Sequence, residues 1–274
     1  MAEASPSTAG STMAARVAEV VRDIARGGLA GLLGGTLVGG IGGRIVMSAA
    51  AVLNPQATGL RTENGELIGA FTLNGTLALI VFGGIGAGLM AGVVWVVISP
   101  WLPGTGIRRA LLAMPIAAAL GGSVLIEPDN PDFIVLSRYE TPIVAMLLVL
   151  VALVGAGVTL ADGWLDRRLP RPRASLDPQA LAYGAVALLG VPLLILTVRA
   201  FLDPSFADHR PVGAGWALVA TGAATAAWWT ARIVTGRAER PMALLVAGRI
   251  GLVTAAILGG QFLVVDVADI LDIG

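Results

Sequence analysis

The residues of this chain that have the means to do chemistry are few and far apart. Arg44 and Arg249 fall inside long apolar stretches, where a cation costs roughly 2.5–3.5 kcal/mol and needs a partner or water. Glu127 closes the apolar run LLAMPIAAALGGSVLI, and Asp266 lies in VVDVADILDIG near the C-terminus. Arg44, Glu127 and Asp266 therefore form a candidate ion or solute site, with a buried structural ion pair as the plainer alternative. For Arg249 the expected partners are Asp162 and Asp166, or else the headgroups to which a long side chain snorkels.

The segment EPDNPDF sets Glu127, Asp129 and Asp132 at near-alternating spacing, oxygen ligands that suit a hard cation such as Ca²⁺. It lacks the glycine and the distant glutamate of an EF-hand loop, and its two prolines equally describe a rigid exit turn. The single histidine, His209, stands between Asp208 and Arg210 in DPSFADHRPVG. With no nucleophile set beside it, it is expected to face solvent. Asp162 and Asp166 are spaced i, i+4, but the arginine pair that follows them predicts a solvated loop rather than a metal site.

Several chemistries are excluded outright. The absence of cysteine removes disulfides, thiolate metal sites and thiol catalysis. All 18 basic residues are arginine, so no lysine is present to form a Schiff base. The net charge is zero and no basic block occurs, which argues against nucleic acid. No HExxH, GxSxG or GxxxxGK motif is present, so no cofactor and no catalytic residue is expected.

The elements that position these residues follow from composition. The chain has 274 residues, 56% hydrophobic and only 13% charged, about half the charge of a soluble domain. Its mean hydropathy is +0.83. Such a chain cannot clothe a globule in polar groups and requires lipid. The predicted fold is an all-α polytopic membrane bundle with spans near 28–53, 76–99, 110–126, 142–162, 179–200, 213–233 and 242–265. These runs match the roughly 20 residues that cross a ~30 Å hydrocarbon core. Residues 1–10 read as a disordered tail. Residues 11–26 read as an amphipathic helix, interfacial or a cytosolic extension of the first span, with Arg16, Glu19, Arg22, Asp23 and Arg26 opposite the apolar face.

Arginine placement gives an independent reading of the span count. With the N-terminus inside, inner segments hold twelve arginines and outer segments four, as the positive-inside rule asks of seven spans with N-in and C-out ends. Trp95, Trp101, Trp164, Trp228 and Trp229 fall near inner ends and Trp216 near an outer one. The small residues Ala49 and Ala51 resemble a signal-cleavage site, but the region before them is too long and Arg44 interrupts it.

Glycine supplies the strongest motif. Gly27, Gly31, Gly35, Gly39 and Gly43 recur every four residues in the first span, and Gly84, Gly88 and Gly92 do so in the second. Each set lies on one helix face, where backbones can approach closely in lipid. Glycine-zipper packing between spans is the expected use, with self-association or a glycine-lined path as alternatives. In the first outer loop Asn64 and Gly65 predict a small β-hairpin with Thr62 and Leu67 flanking, and Asn74 with Gly75 predicts a further turn.

These features describe a non-catalytic membrane subunit or scaffold that presents an ordered outer loop to a partner. The competing reading is a small-ion or solute carrier built on Arg44, Glu127 and Asp266. The expected partners are the lipid bilayer and other membrane subunits or further copies of the chain. The arginine-only, Ala- and Gly-rich composition points to a GC-rich bacterial genome and its cytoplasmic membrane.

Overall fold

A computed structural model describes residues 12–57, 59–60, 72–130, 140–172, 177–205 and 209–272. The expected hairpin at Thr62 to Leu67 and the expected ligand Asp132 lie outside the described residues. Among the described residues the secondary structure is helical, with no strand.

Helix α1 (Met13–Gly34) starts where the Thr12 hydroxyl accepts from the Ala15 amide, an ordinary N-cap. It continues without a break through a π-helical segment, Gly35–Gly40, into α2 (Ile41–Leu53). The expected interfacial helix over 11–26 is thus the first part of one long rod. The second rod runs from α3 (Leu73–Ala78) through a second π-helical segment (Leu79–Gly86) into α4 (Ala87–Ile98), and ends in a 3₁₀ turn, Ser99–Trp101. In its π segment the Ala87 amide bonds to the carbonyl of Phe82, five residues back. Gly75, expected to sit in a turn, instead opens α3, with its amide donating to the Thr72 hydroxyl.

Five further helices follow: α5 (Gly106–Leu125), α6 (Glu140–Arg168), α7 (Pro178–Leu202), α8 (Val212–Thr235) and α9 (Met242–Asp272). Asp177 caps α7, with Pro178 at its first position. Gly236 ends α8 in the left-handed region at φ 71°, a conformation that favours glycine.

Among the described residues six helices are long and apolar enough to cross a membrane: Met13–Leu53, Gly75–Trp101, Gly106–Leu125, Thr141–Arg168, Pro178–Leu202 and Met242–Leu271. The seventh expected span, α8, is long enough at 24 residues, but glycine, threonine and tryptophan dilute its hydropathy. It packs closely along α9, where a Cβ on Gly251 would lie 2.5 Å from the Thr221 hydroxyl.

The two rods meet along their glycine faces. A Cβ on Gly31 or Gly35 would overlap the backbone of Gly92 or Gly88. From the other side, a Cβ on Gly88 would lie 2.7 Å from the Gly31 carbonyl oxygen, and one on Gly92 would lie 3.1 Å from that of Gly28. Gly39 approaches the Gly83 carbonyl at 3.0 Å and Gly84 approaches the Cα of Gly40 at 3.2 Å, whereas Gly43 meets the Leu79 side chain at 3.1 Å. The other flank of α1 closes on α6, where a Cβ on Gly34 would be 2.6 Å from the Val158 nitrogen. Ala30, Trp95, Trp101, Val158, Leu252 and Ala255 belong to the main buried cluster, and a second cluster around Ala50, Ile126, Ile143 and Leu263 fills the opposite end. The outward residues are apolar, such as Leu188 at 71% and Leu189 at 69% exposure, as lipid-facing positions are. This is the fold of a multi-pass membrane protein.

Candidate functional site: a charged network at one end of the bundle

The chemistry of the described residues is concentrated where α1 begins, α4, α6 and α8 end, and α5 and α9 begin. Helix α1 carries two adjacent i, i+4 rows of opposite sign, Glu19 with Asp23 and Arg22 with Arg26, and residues so spaced share a helix face. The basic row meets α6. Arg26 Nε donates to Asp162 Oδ1 at 2.7 Å, and its Nη1 donates to Asp166 Oδ1 at 2.5 Å. Arg22 donates to Asp166 Oδ1 at 3.0 Å and to the carbonyls of Asp166 and Leu169 at 2.9 and 3.0 Å. The acidic row meets α8. Arg232 forks between Asp23 Oδ2 at 2.7 Å and Glu19 Oε2 at 2.9 Å. From α5, Arg109 reaches Asp162 Oδ2 at 3.7 Å, with its guanidinium 5.0 Å from the Trp95 ring centre. Four guanidiniums and four carboxylates thus form one neutral network.

A second pattern runs through the same end. Helix C-termini present unpaired carbonyls and a partial negative charge, and each of three here receives arginine. Arg16 donates to the carbonyls of Ile233 and Val234 at the end of α8, at 2.7 and 3.1 Å. Arg22 serves the end of α6. The consecutive carbonyls of Ser99, Pro100 and Trp101, closing α4, accept from Arg109, Arg240 and Arg249 respectively. Trp101 is fully buried there, its indole N–H donating to the Thr225 hydroxyl at 2.9 Å.

Several expectations are corrected by this geometry. Arg22, expected on a solvated face, is 4% exposed, and Asp162, expected in a solvated loop, is 3% exposed. Burial follows because each meets an opposite charge on a neighbouring helix, where an unpaired ion would be costly. Arg249 bonds to the Trp101 carbonyl at 3.4 Å instead of to Asp162 or Asp166. A signal for the network was present in the sequence: Arg22 with Arg26 and Asp162 with Asp166 are i, i+4 pairs of opposite sign.

At the opposite end, Asp266 is completely buried. Its Oδ1 meets His209 Nε2, and its Oδ2 has no hydrogen-bond partner among the described residues. His209, expected to face solvent, packs its ring 4.7 Å from that of Phe262. Arg44 is half-buried on α2, and its carbonyl accepts from the Ser48 hydroxyl at 2.8 Å. Glu127 is half-buried and opens a turn closed by the Asn130 amide at 3.2 Å, while Asp129 is exposed. Among the described residues no group of three or more acids or histidines is placed to hold a metal ion.

Between the two ends lies an apolar cavity of about 360 Å³, lined by Gly39, Gly43, Leu79, Met90, Leu150 and Phe201 among others. Comparison with family models, curated proteins and solved structures finds no match to this chain.

Proposed function

We propose that the protein is a non-catalytic membrane subunit or scaffold, a self-braced bundle seated in the cytoplasmic membrane of a bacterium. One observation carries this reading: α1 is fixed on three sides at once. Its glycines seat against α4, its arginine row against α6 and its acidic row against α8. A carrier needs one part of its bundle to rock against another around a central site, and an eight-charge network spanning four helices opposes that motion. A rigid body with apolar flanks suits a role in holding other membrane components. The glycine faces of the two rods then act as internal packing, with the first outer loop and the lipid-facing flanks left for a partner or a second copy.

The test is chemical crosslinking in native membranes, followed by purification in mild detergent and mass measurement of the complex. A stoichiometric partner or a defined homo-oligomer supports the scaffold reading. A lone protomer under both conditions counts against it.

A second reading has one observation in its favour. The buried Asp266, paired with the partly exposed His209, and Arg44 half-buried on the first rod are the sort of intramembrane charge that carriers use. On that reading Arg44→Ala or Glu127→Gln abolishes ion flux in proteoliposomes while the protein stays folded. Unchanged flux in both variants removes it.

A further inference from the structure

Three guanidiniums converge on the end of α4 from three different elements, Arg109 from α5, Arg240 from the segment before α9, and Arg249 from α9. Each donates to one of three consecutive carbonyls, Ser99, Pro100 and Trp101. Carbonyl groups carry only partial charge, so Arg240 and Arg249, two full positive charges outside the neutral network, are gathered with Arg109 around about half a negative one. Arg109 shares Asp162 with Arg26, and among the described residues neither Arg240 nor Arg249 meets a carboxylate within 4 Å. Burial, and then the neighbouring Arg249 charge, hold Arg240 below the ordinary arginine value. The crowding favours an added anion.

Donors remain for one. Each guanidinium carries five N–H groups, and Arg240 spends one on Pro100 and Arg249 one on Trp101. Both side chains belong to exposed residues. Arg240 also lies 5.4 Å from the ring centre of the half-buried Trp228, an indole of the kind that settles at headgroup depth. From Arg249 an apolar stripe runs along the lipid face of α9: Val246, Ile250, Val253 and Ile257 are 48–62% exposed. A cationic cluster at the interface that continues into an apolar helix face matches an amphiphile with an anionic head and alkyl tails.

We propose that Arg109, Arg240 and Arg249 bind the phosphate group of an anionic phospholipid, with its acyl chains laid along the Val246 to Ile257 face of α9. Basic pockets between transmembrane helices recognise such headgroups by charge and by the bidentate geometry of guanidinium with phosphate. This goes beyond the scaffold reading and does not depend on it.

The test uses the full chain in nanodiscs of phosphatidylcholine alone or with phosphatidylglycerol, with native mass spectrometry of retained lipid and the thermal midpoint as readouts. The wild type is expected to retain phosphatidylglycerol and to melt higher with it than with phosphatidylcholine. The double variant R240Q/R249Q is expected to lose retention on the order of thirty-fold, the equivalent of two interfacial charges, and to melt equally in both lipids. Equal retention of the two lipids by the wild type, or wild-type retention by the double variant, overturns the proposal. Should the double variant fail to fold, R249K serves, since it keeps the charge but loses the fork; it is expected to retain several-fold less, and wild-type retention by it overturns the proposal. Inorganic phosphate added to phosphatidylcholine nanodiscs forms a further arm. Protection equal to that by phosphatidylglycerol would show a free-phosphate site and overturn the lipid assignment, whereas no protection supports it.

Discussion

Arg26 Nε lies 2.7 Å from Asp162 Oδ1, joining residues 136 positions apart in the chain. Asp162 is 3% exposed and also faces Arg109, so its charge is the buried member of a triad whose two arginines are half-buried. Removing its charge leaves Arg109 without a carboxylate while Arg26 keeps Asp23 and Asp166, so the cost falls at the lower end of the buried-pair range, about 3 kcal/mol. Asp162→Asn should therefore destabilise the bundle by about that amount. Asp166, whose side chain is 45% exposed, should cost about 1–2 kcal/mol on the same change, since water replaces part of what is lost. Denaturant unfolding of both variants in a common detergent measures the difference. Equal losses would mean that the burial of Asp162 adds nothing to its pairing.

The glycines of the first rod differ sharply in what surrounds them. A Cβ at Gly35 would overlap the backbone of Gly88, while one at Gly28 would meet nothing within 4 Å. Gly35→Ala should push the rods apart and lose about 1–3 kcal/mol, the usual cost of overpacking. Gly28→Ala should be neutral or stabilising by up to about 1 kcal/mol through helix propensity. Thermal midpoints of the pair read this contrast, and a loss at Gly28 as large as that at Gly35 would refute it.

A pH effect is expected in the loop after α7. The Asp203 carboxylate accepts from the Ser205 hydroxyl and amide and from Arg199 Nε at 2.7 Å, and these bonds hold its pKa down to about 2 against an ordinary 3.8. A depressed folded-state value means the contribution to loop order is complete above about pH 4. It disappears as the pH falls through about 2. Ser205→Ala removes the hydroxyl but keeps the amide, so the Asp203 midpoint should rise part of the way to 3.8. Carboxyl carbon shifts of labelled aspartate follow the titration, and an unmoved midpoint would assign the depression to the Ser205 amide and Arg199.

Much of the fold was legible because it depends on composition over windows of twenty residues. Apolar runs such as 179–200 and 242–265 reappear as Pro178–Leu202 and Met242–Asp272, the second extended by the acidic stretch 266–272 that hydropathy alone leaves out. The glycine spacing showed which faces could approach closely, though nothing in it names the helix that approaches. The charged network was legible only in its i, i+4 rows on α1 and α6, because which row meets which across 136–144 residues has no local signature. Arg22 and Asp162 each looked solvated beside their chain neighbours, and only the packing of α1 on α6 brings them together. His209 keeps a side chain 37% exposed, but its pairing with Asp266, 57 residues away, was hidden for a related reason.

The crossing of α8 decides whether the ends of the chain lie on opposite sides of the membrane and whether the arginine-rich end faces one compartment. Its sequence is the least apolar of the seven helices, so the question is direct. Because the chain has no cysteine, single cysteines placed at Pro204→Cys and Glu239→Cys, both exposed and on either side of α8, can be labelled in intact cells with an impermeant maleimide. Pro204→Cys should label from outside and Glu239→Cys only after permeabilisation. Labelling of both from the same side would place α8 outside the set of spans and contradict the seven-crossing bundle.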